Sequence, residues 1–312
     1  MSLQKGAWVT YASALLAVAL WGLAFPLIQE GVLYFSPVML GFLRFGLASA
    51  LMLVVILLRF SLKKIVETIR SEWKPLLVLG VLYVTIPNIA QNIGLQEGTS
   101  SVASVIQSSG PVMTMIFAAF MLKEELTKMK GLGTVIAMAG TILLVASAGV
   151  SLDNESFMSN ILILISAASY GLAWVSAKRM LQRNPPTLII GLSLLFGTAL
   201  LGAVAPFETD SMAVFNTDSM MNILTLGFLC GGVSSVAYLS SLEHEEVSRM
   251  AFLIYLMPVF ASFFAWLLLE QKVESWTIVC AVIIILGIFV ANKNGAPRNG
   301  KDRVPEKADE SA

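Results

Sequence analysis

The sequence predicts an all-α integral membrane protein of ten transmembrane helices, arranged as two inverted-topology five-helix repeats. Three observations predict it. Mean hydropathy is +0.81, and 57% of the 312 residues are hydrophobic against 13% charged, where soluble domains carry about a quarter charged. The apolar residues fall in blocks of about 20, the length a helix needs to cross the hydrocarbon core of a bilayer. Finally, a proline-centred stretch from Ser101 to Thr127, SVASVIQSSGPVMTMIFAAFMLKEELT, recurs from Ser248 to Glu274 as SRMAFLIYLMPVFASFFAWLLLEQKVE. Laying Pro111 on Pro258, a shift of 147 residues without a gap, also pairs Gly80 with Gly227, Ala90 with Ala237, Leu95 with Leu242 and Phe117 with Phe264.

Taken in order, the helices of the first unit fall at 8–29, 37–58, 74–93, 100–122 and 131–149, so that this unit spans 8–149. Those of the second, 159–292, fall at 159–180, 187–205, 220–241, 249–269 and 275–292. The first span has only Lys5 ahead of it and runs for about 20 residues, so it reads as a retained helix rather than a signal peptide. Short connections make consecutive helices antiparallel neighbours. The stretch 293–312 is polar and broken by Gly295, Pro297, Gly300 and Pro305, and reads as a disordered cytoplasmic tail.

Charge tests the count. With a cytoplasmic N-terminus, eighteen of the 20 Lys and Arg residues fall in the inner segments, from Lys5 and the run Arg59, Lys63, Lys64, Arg70 and Lys74 to the tail. The outer loops hold only Lys272, together with Glu30, Glu97, Asp153, Glu155, Glu208, Asp210 and Asp218. A miscounted helix would scramble that alternation. Both termini are therefore expected in the cytoplasm, with the chain in the plasma membrane. Five spans per half force the second copy into the membrane upside down, a common plan for secondary transporters with a midplane site.

Several classes of function are disfavoured. Cys230 and Cys280 both lie inside apolar spans, which argues against a disulfide framework, and His244 is the single histidine. No metal or cofactor is expected, and no nucleic-acid partner; the expected partners are a small-molecule substrate and the lipid bilayer, with a homodimer left open. No span carries a His-Asp, Cys-His or paired-carboxylate arrangement, and no phosphate loop is present, so an intramembrane enzyme lacks support. No Asp or Glu lies well inside a span, which disfavours proton antiport through a buried carboxylate.

The candidate site residues are polar or aromatic groups inside spans. Arg44 lies about a third of the way into the second helix, where a charge costs roughly 2.5–3.5 kcal/mol on insertion scales and needs a partner or water. One reading is recognition of an anionic group by the guanidinium fork; the other is a structural tie to helix-end carbonyls, Glu30 or Glu97. Asn88, Gln91 and Asn92 share a face by the i, i+3, i+4 rule, as do Ser104, Gln107 and Ser108. Ser234, Ser235, Tyr238 and Ser241 form a weaker strip, followed by Tyr255. Interhelical hydrogen bonding accounts for any single strip; several strips at similar depth point to a shared cavity. Trp21 and Phe25, with Tyr170 and Trp174 in the sixth helix, complete a candidate lining, against which stand plain packing or an interfacial belt. Pro26, Pro87, Pro111 and Pro258 interrupt spans and free the carbonyls of Gly22, Tyr83, Gln107 and Ile254, as hinges or as simple curvature.

The opening LAVALWGLAFPLIQEGVLYFSPVMLGFLRFGLA, Leu16 to Ala48, resembles the start of the EamA-type branch of the drug/metabolite transporter superfamily. The pattern falls on Trp21, Gly22, Phe25, Pro26, Pro37 and Arg44, continues through Pro111, Glu124 and Leu126, and resumes from Ser169 to Pro258. The sequence departs from it where Lys123 replaces the usual glycine before Glu124, and where Gln271 stands in place of the second glutamate. The resemblance implies a transporter of small metabolites working by alternating access, amino-acid-like compounds leading and export the leading direction. It also places an arginine at Arg44 regardless of substrate, which favours the structural role there. A channel or scaffold, or a carrier of drugs or nucleotide-linked sugars, is the alternative.

Overall fold

Helix α1 (Ser2–Gly31) is predominantly apolar from Trp8 onward and tolerates Pro26 in its interior. The computed structural model to which it belongs describes residues 2–97, 103, 106–147, 157–208, 212–269 and 275–292. Helix α2 (Pro37–Arg59) opens on a proline, where the missing N–H would have had no partner. The donors that follow are taken by a distant carboxylate. Glu208 accepts from the N–H groups of Val38 (2.9 Å) and Met39 (3.2 Å) and from the Ser36 hydroxyl (2.5 Å).

The third helix, expected from 74, begins twelve residues earlier. Ser61 accepts the Lys64 N–H at 3.3 Å and caps α3 (Leu62–Gly80), whose first turns are charged on one side and so escape a search for apolar blocks. Pro75 lies within it. A π-helical turn, Val81–Thr85, then joins α3 to α4 (Ile86–Glu97), and Pro87 sits just past that turn. Most of the expected first turns of the 100–122 helix, with Ser104, lie outside the described residues. Helix α5 (Gly110–Leu122) starts one residue before Pro111, after a turn at Ser108 and Ser109. Helix α6 (Lys128–Ser147) follows.

The second half holds α7 (Phe157–Leu181) and α8 (Pro186–Val204), the latter again opening on a proline. Helix α9 (Thr217–Leu224) begins with a reciprocal cap in which Asn216 and Ser219 each accept the other's N–H, at 2.8 and 2.9 Å. It passes through a π-helical segment, Thr225–Val233, into α10 (Ser234–His244). The expected 249–269 helix is split into α11 (Val247–Ala251), a 3-10 stretch Phe252–Leu256, and α12 (Met257–Leu269). Here the Met257 N–H donates to the Ile254 carbonyl, which Pro258 leaves without its α-helical partner. Helix α13 (Ser275–Asn292) closes the described chain, and the tail 293–312 lies outside the described residues.

Among the described residues, seven helical runs are long and apolar enough to cross a membrane: Trp8–Gly31, Pro37–Arg59, Leu62–Gln96, Phe157–Leu181, Pro186–Phe207, Thr217–Leu242 and Val247–Phe264. Gly110–Leu122 and Ile278–Ala291 are apolar but shorter.

The helices do not sort into two separate bodies. α1 packs on α10 and α12, α2 on α8, α4 and α5 on α7, and α6 on α13. Small residues allow the closest of these approaches. A Cβ on Gly80 would come within 2.8 Å of backbone atoms at Ser193 and Gly197, and one on Gly227 within 2.7 Å of the Arg44 carbonyl oxygen. Gly133 and Gly287 in the α6–α13 pair leave no room for a Cβ either, against the backbone at Ala291 and Ala137.

The two π-helical segments fall in register, since a shift of 147 residues carries Val81–Thr85 onto 228–232. A π turn leaves a carbonyl without its i+4 partner, and hydroxyl groups take up such oxygens. Ser169 Oγ reaches Leu82 O at 2.8 Å from the neighbouring α7, Ser234 Oγ reaches Cys230 O at 2.5 Å, and Ser235 Oγ donates to Gly231 O.

Candidate functional site

One face of α1 and one face of α7 confront each other with the same spacing. Trp21, Ala24, Phe25 and Ile28 repeat at i, i+3, i+4 and i+7, and so do Ala167, Tyr170, Gly171 and Trp174; all eight line one cavity. Arg44 and Phe45 from α2, Tyr83 from the π turn, Gln91 from α4, and Gln107, Gly110 and Thr114 around the start of α5 complete most of the wall. Ile254 and Met257 close it from the split helix. The space these residues border, open solvent at its mouth included, is about 620 Å³ free of atoms.

Its core is an aromatic cluster. Trp174 stacks on Trp21 (ring centroids 5.5 Å) and on Tyr170 (6.4 Å), and lies 4.7 Å from both Tyr83 and Tyr238. Tyr238 is also 4.9 Å from Trp21, so it backs the two indoles from behind the cavity wall. The Tyr83 and Ser235 hydroxyls are 2.5 Å apart, which ties the π turn of one half to the start of α10 in the other.

Among the described residues Arg44 is the one cation in this wall, and no carboxylate lines it. The side chain is 5% exposed, its guanidinium carbon lies 4.9 Å from the Phe45 ring centroid, and Nε and Nη1 are buried with no hydrogen-bond partner. Of the structural partners anticipated for it, Glu30 instead accepts from Asn222 Nδ2 at 3.3 Å, while the Glu97 side chain lies outside the described residues. Gln107 is buried beside the cavity with its Oε1 unpaired.

Six of the eleven expected substrate-binding residues are thus brought together on one wall: Trp21, Arg44, Gln91, Gln107, Tyr170 and Trp174. The other five are not on it. Asn88 Nδ2 donates to Val84 O at 2.7 Å and Asn92 Nδ2 to Pro37 O at 2.8 Å, so both side chains tie backbone together. Ser108 is buried and partnered. Tyr238 sits behind the indoles, and Tyr255 is buried in the 3-10 stretch, next to Ile254, with its hydroxyl unpaired. Tyr83, Phe45, Thr114 and Met257 were missed. Tyr83 lies one turn before the Asn88 face, and a turn of aromatic and amide residues together was the available signal.

Each end of the cavity is bounded by polar contacts between the two halves. At one end Glu124 accepts from the N–H groups of Val247 (3.0 Å) and Ser248 (3.2 Å) and from the Ser248 hydroxyl. Lys130, 7% exposed, reaches Glu246 at 3.0 Å and Ser248 Oγ at 2.8 Å, and Arg179 donates to Met121 O at 2.8 Å. At the other end lie the Glu208 contacts with α2, the bond from Asn222 Nδ2 to Leu27 O (2.8 Å), and the isolated bridge between Phe35 and Ala213. Among the described residues no group of histidines, cysteines and carboxylates could hold a metal ion, and Cys230 and Cys280 are both buried and free.

Known proteins resemble the chain along nearly its whole length. An uncharacterized transporter of Archaeoglobus fulgidus is 27% identical over 292 residues, covering 91% of this chain and 97% of that one. The uncharacterized transporter YcxC of Bacillus subtilis is 25% identical over 310 residues, covering 95% and 97%. A WAT1-related chloroplastic protein of Arabidopsis thaliana matches at 24% over 208 residues, 64% of this chain and 50% of its own. A solved crystal structure superposes with a TM-score of 0.75 at 18% identity, covering 91% of this chain and 96% of the other, a likeness of fold alone. The EamA-like transporter family matches twice, over residues 8–146 and 157–293, and with both halves covered the chain belongs to that family, a membrane transporter of the drug/metabolite transporter superfamily.

Proposed function

We propose that the protein is a secondary transporter that exports small metabolites, amino-acid-like compounds foremost, by alternating access to the Trp21–Trp174 cavity. One observation carries the reading: the cavity wall is built from both halves, and both of its ends are bounded by contacts between those halves. A site so built opens to one side when one set of contacts breaks and the other holds. The reading takes the chain as ten membrane helices in two inverted five-helix units. The register of the two π segments, and the matched close approaches of Gly80 and Gly227, support that. It also sets both termini in the cytoplasm of a plasma-membrane protein. The distribution of basic residues then makes the Glu124–Ser248 contacts the inner gate and the Glu208–Ser36 contacts the outer one.

The test is flux through proteoliposomes loaded with a radiolabelled amino-acid pool. Saturable efflux is expected, and a disulfide between E124C and S248C should abolish it until reductant is added. Efflux linear in concentration and indifferent to the bridge would make the protein a pore and sink the alternating-access reading. No efflux of any pool member would remove the amino-acid-like class.

A further inference from the structure

Resting on the reading of the Trp21–Trp174 cavity as the transport site, we propose that it recognises its solute by a carboxylate held on Arg44 and a flat apolar body held against the stacked aromatic rings. The ligand class is an aryl carboxylate, with an ammonium group optional rather than required.

Charge is the first ground. Among the described residues the wall carries a guanidinium and no carboxylate, so the charge they bring to it is of one sign only. Arg44 is 95% buried by its 5% exposure, and Nε and Nη1 have no acceptor among the described residues. A buried cation without a counter-charge is costly, and the cost falls when a solute brings an anion into reach. The geometry of the fork suits an oxyanion that can take two parallel N–H donors. A structural arginine would spend these donors on carbonyls or on Glu30, and among the described residues Nε and Nη1 make neither contact.

The shape of the remaining wall is the second ground. The Trp21, Tyr170 and Trp174 rings lie close to parallel, with interplanar angles of 25° and 13° along the stack, and Phe25 and Phe45 add apolar surface. Stacked rings favour a planar apolar body over a polyhydroxylated one. The unpaired Gln107 Oε1 is an acceptor for an N–H of the solute, but it is a neutral one, and nothing in the wall offers an ammonium a salt bridge.

A charge series on one body tests this. Phenylacetate, phenylacetamide, phenethylammonium and phenylalanine are added to the purified full-length protein, and the apparent melting temperature is followed against concentration. Phenylacetate should raise it saturably, phenylalanine no more tightly than phenylacetate, and the amide and the amine should need at least about tenfold more ligand, the worth of one charged hydrogen bond. The Arg44→Gln variant should lose the phenylacetate shift, and Arg44→Lys should keep part of it. If Arg44→Gln does not fold, the wild-type series together with Arg44→Lys decides.

Equal response to the amide, a stronger response to the amine, or phenylalanine binding where phenylacetate does not, each overturns the inference, as does silence from all four. The underlying reading of the cavity fails separately. Gly110 lines the wall with nothing closer than 3.8 Å to a Cβ, so a side chain can start there without a clash, and Gly110→Leu is the variant that takes up cavity space. A ligand shift abolished by Gly110→Leu but untouched by Arg44→Gln keeps the cavity and removes the carboxylate; a shift untouched by both places the ligand elsewhere.

Discussion

Lys123 has φ 59° and ψ 33°, the left-handed conformation that closes α5, and among the described non-glycine residues it alone has a positive φ. Its N–H and that of Glu124 both reach back to the Ala118 carbonyl, the second at 3.3 Å, so the turn is a genuine helix stop. A side chain in that region costs roughly 1–2 kcal/mol relative to glycine. This gives a prediction: Lys123→Gly should raise stability by about 1 kcal/mol, seen as an apparent melting temperature higher by roughly 2–4 °C. The turn also delivers Glu124 onto Val247 and Ser248, so the same substitution should leave transport intact.

At the scale of elements, close helix approach is the main constraint, and glycines differ sharply in how much of it they carry. A methyl group on Gly227 would press on the Arg44 carbonyl and on Leu47 Cβ at 2.9 Å, neither of which can swing away. Gly227→Ala should therefore destabilise by about 1–3 kcal/mol, the usual range for overpacking, and displace the turn that carries Arg44. Gly131, in α6, meets nothing within 4 Å, and Gly131→Ala should instead stabilise by about 0.5–1 kcal/mol. Thermal melts of the two variants side by side check the pair. These elements were unequally legible in the sequence. Apolar blocks and charge alternation were enough to place most of the helices. The amphipathic start of α3 was hidden because its charged face lowers the local hydropathy, and the split of the 249–269 helix was hidden because a 3-10 stretch leaves no compositional mark. The π turns were equally silent. Since a π turn shifts every later side chain around the helix axis relative to every earlier one, it brings Tyr83 onto the wall with Gln91; Asn88 and Asn92, which follow the turn with Gln91, leave the lining because their amides donate to backbone carbonyls.

For the whole molecule, the decisive fact is that the largest helix contacts run between the halves: α1 with α10 and α12, α2 with α8, α6 with α13. The cavity wall, the aromatic cluster and both sets of end contacts share this property. A chain cut in the 148–156 connection should give two fragments that are each unstable when expressed alone and that co-purify when expressed together. A first fragment that is monodisperse and protease-resistant by itself would contradict it. The same interleaving has a consequence for how the protein is made. At roughly 5–20 residues per second, the ribosome needs on the order of 7–30 seconds to travel from Asn92 to Tyr238. For that time Arg44, Gln91 and the indole of Trp21 lack the second-half helices that complete their surroundings in the finished fold.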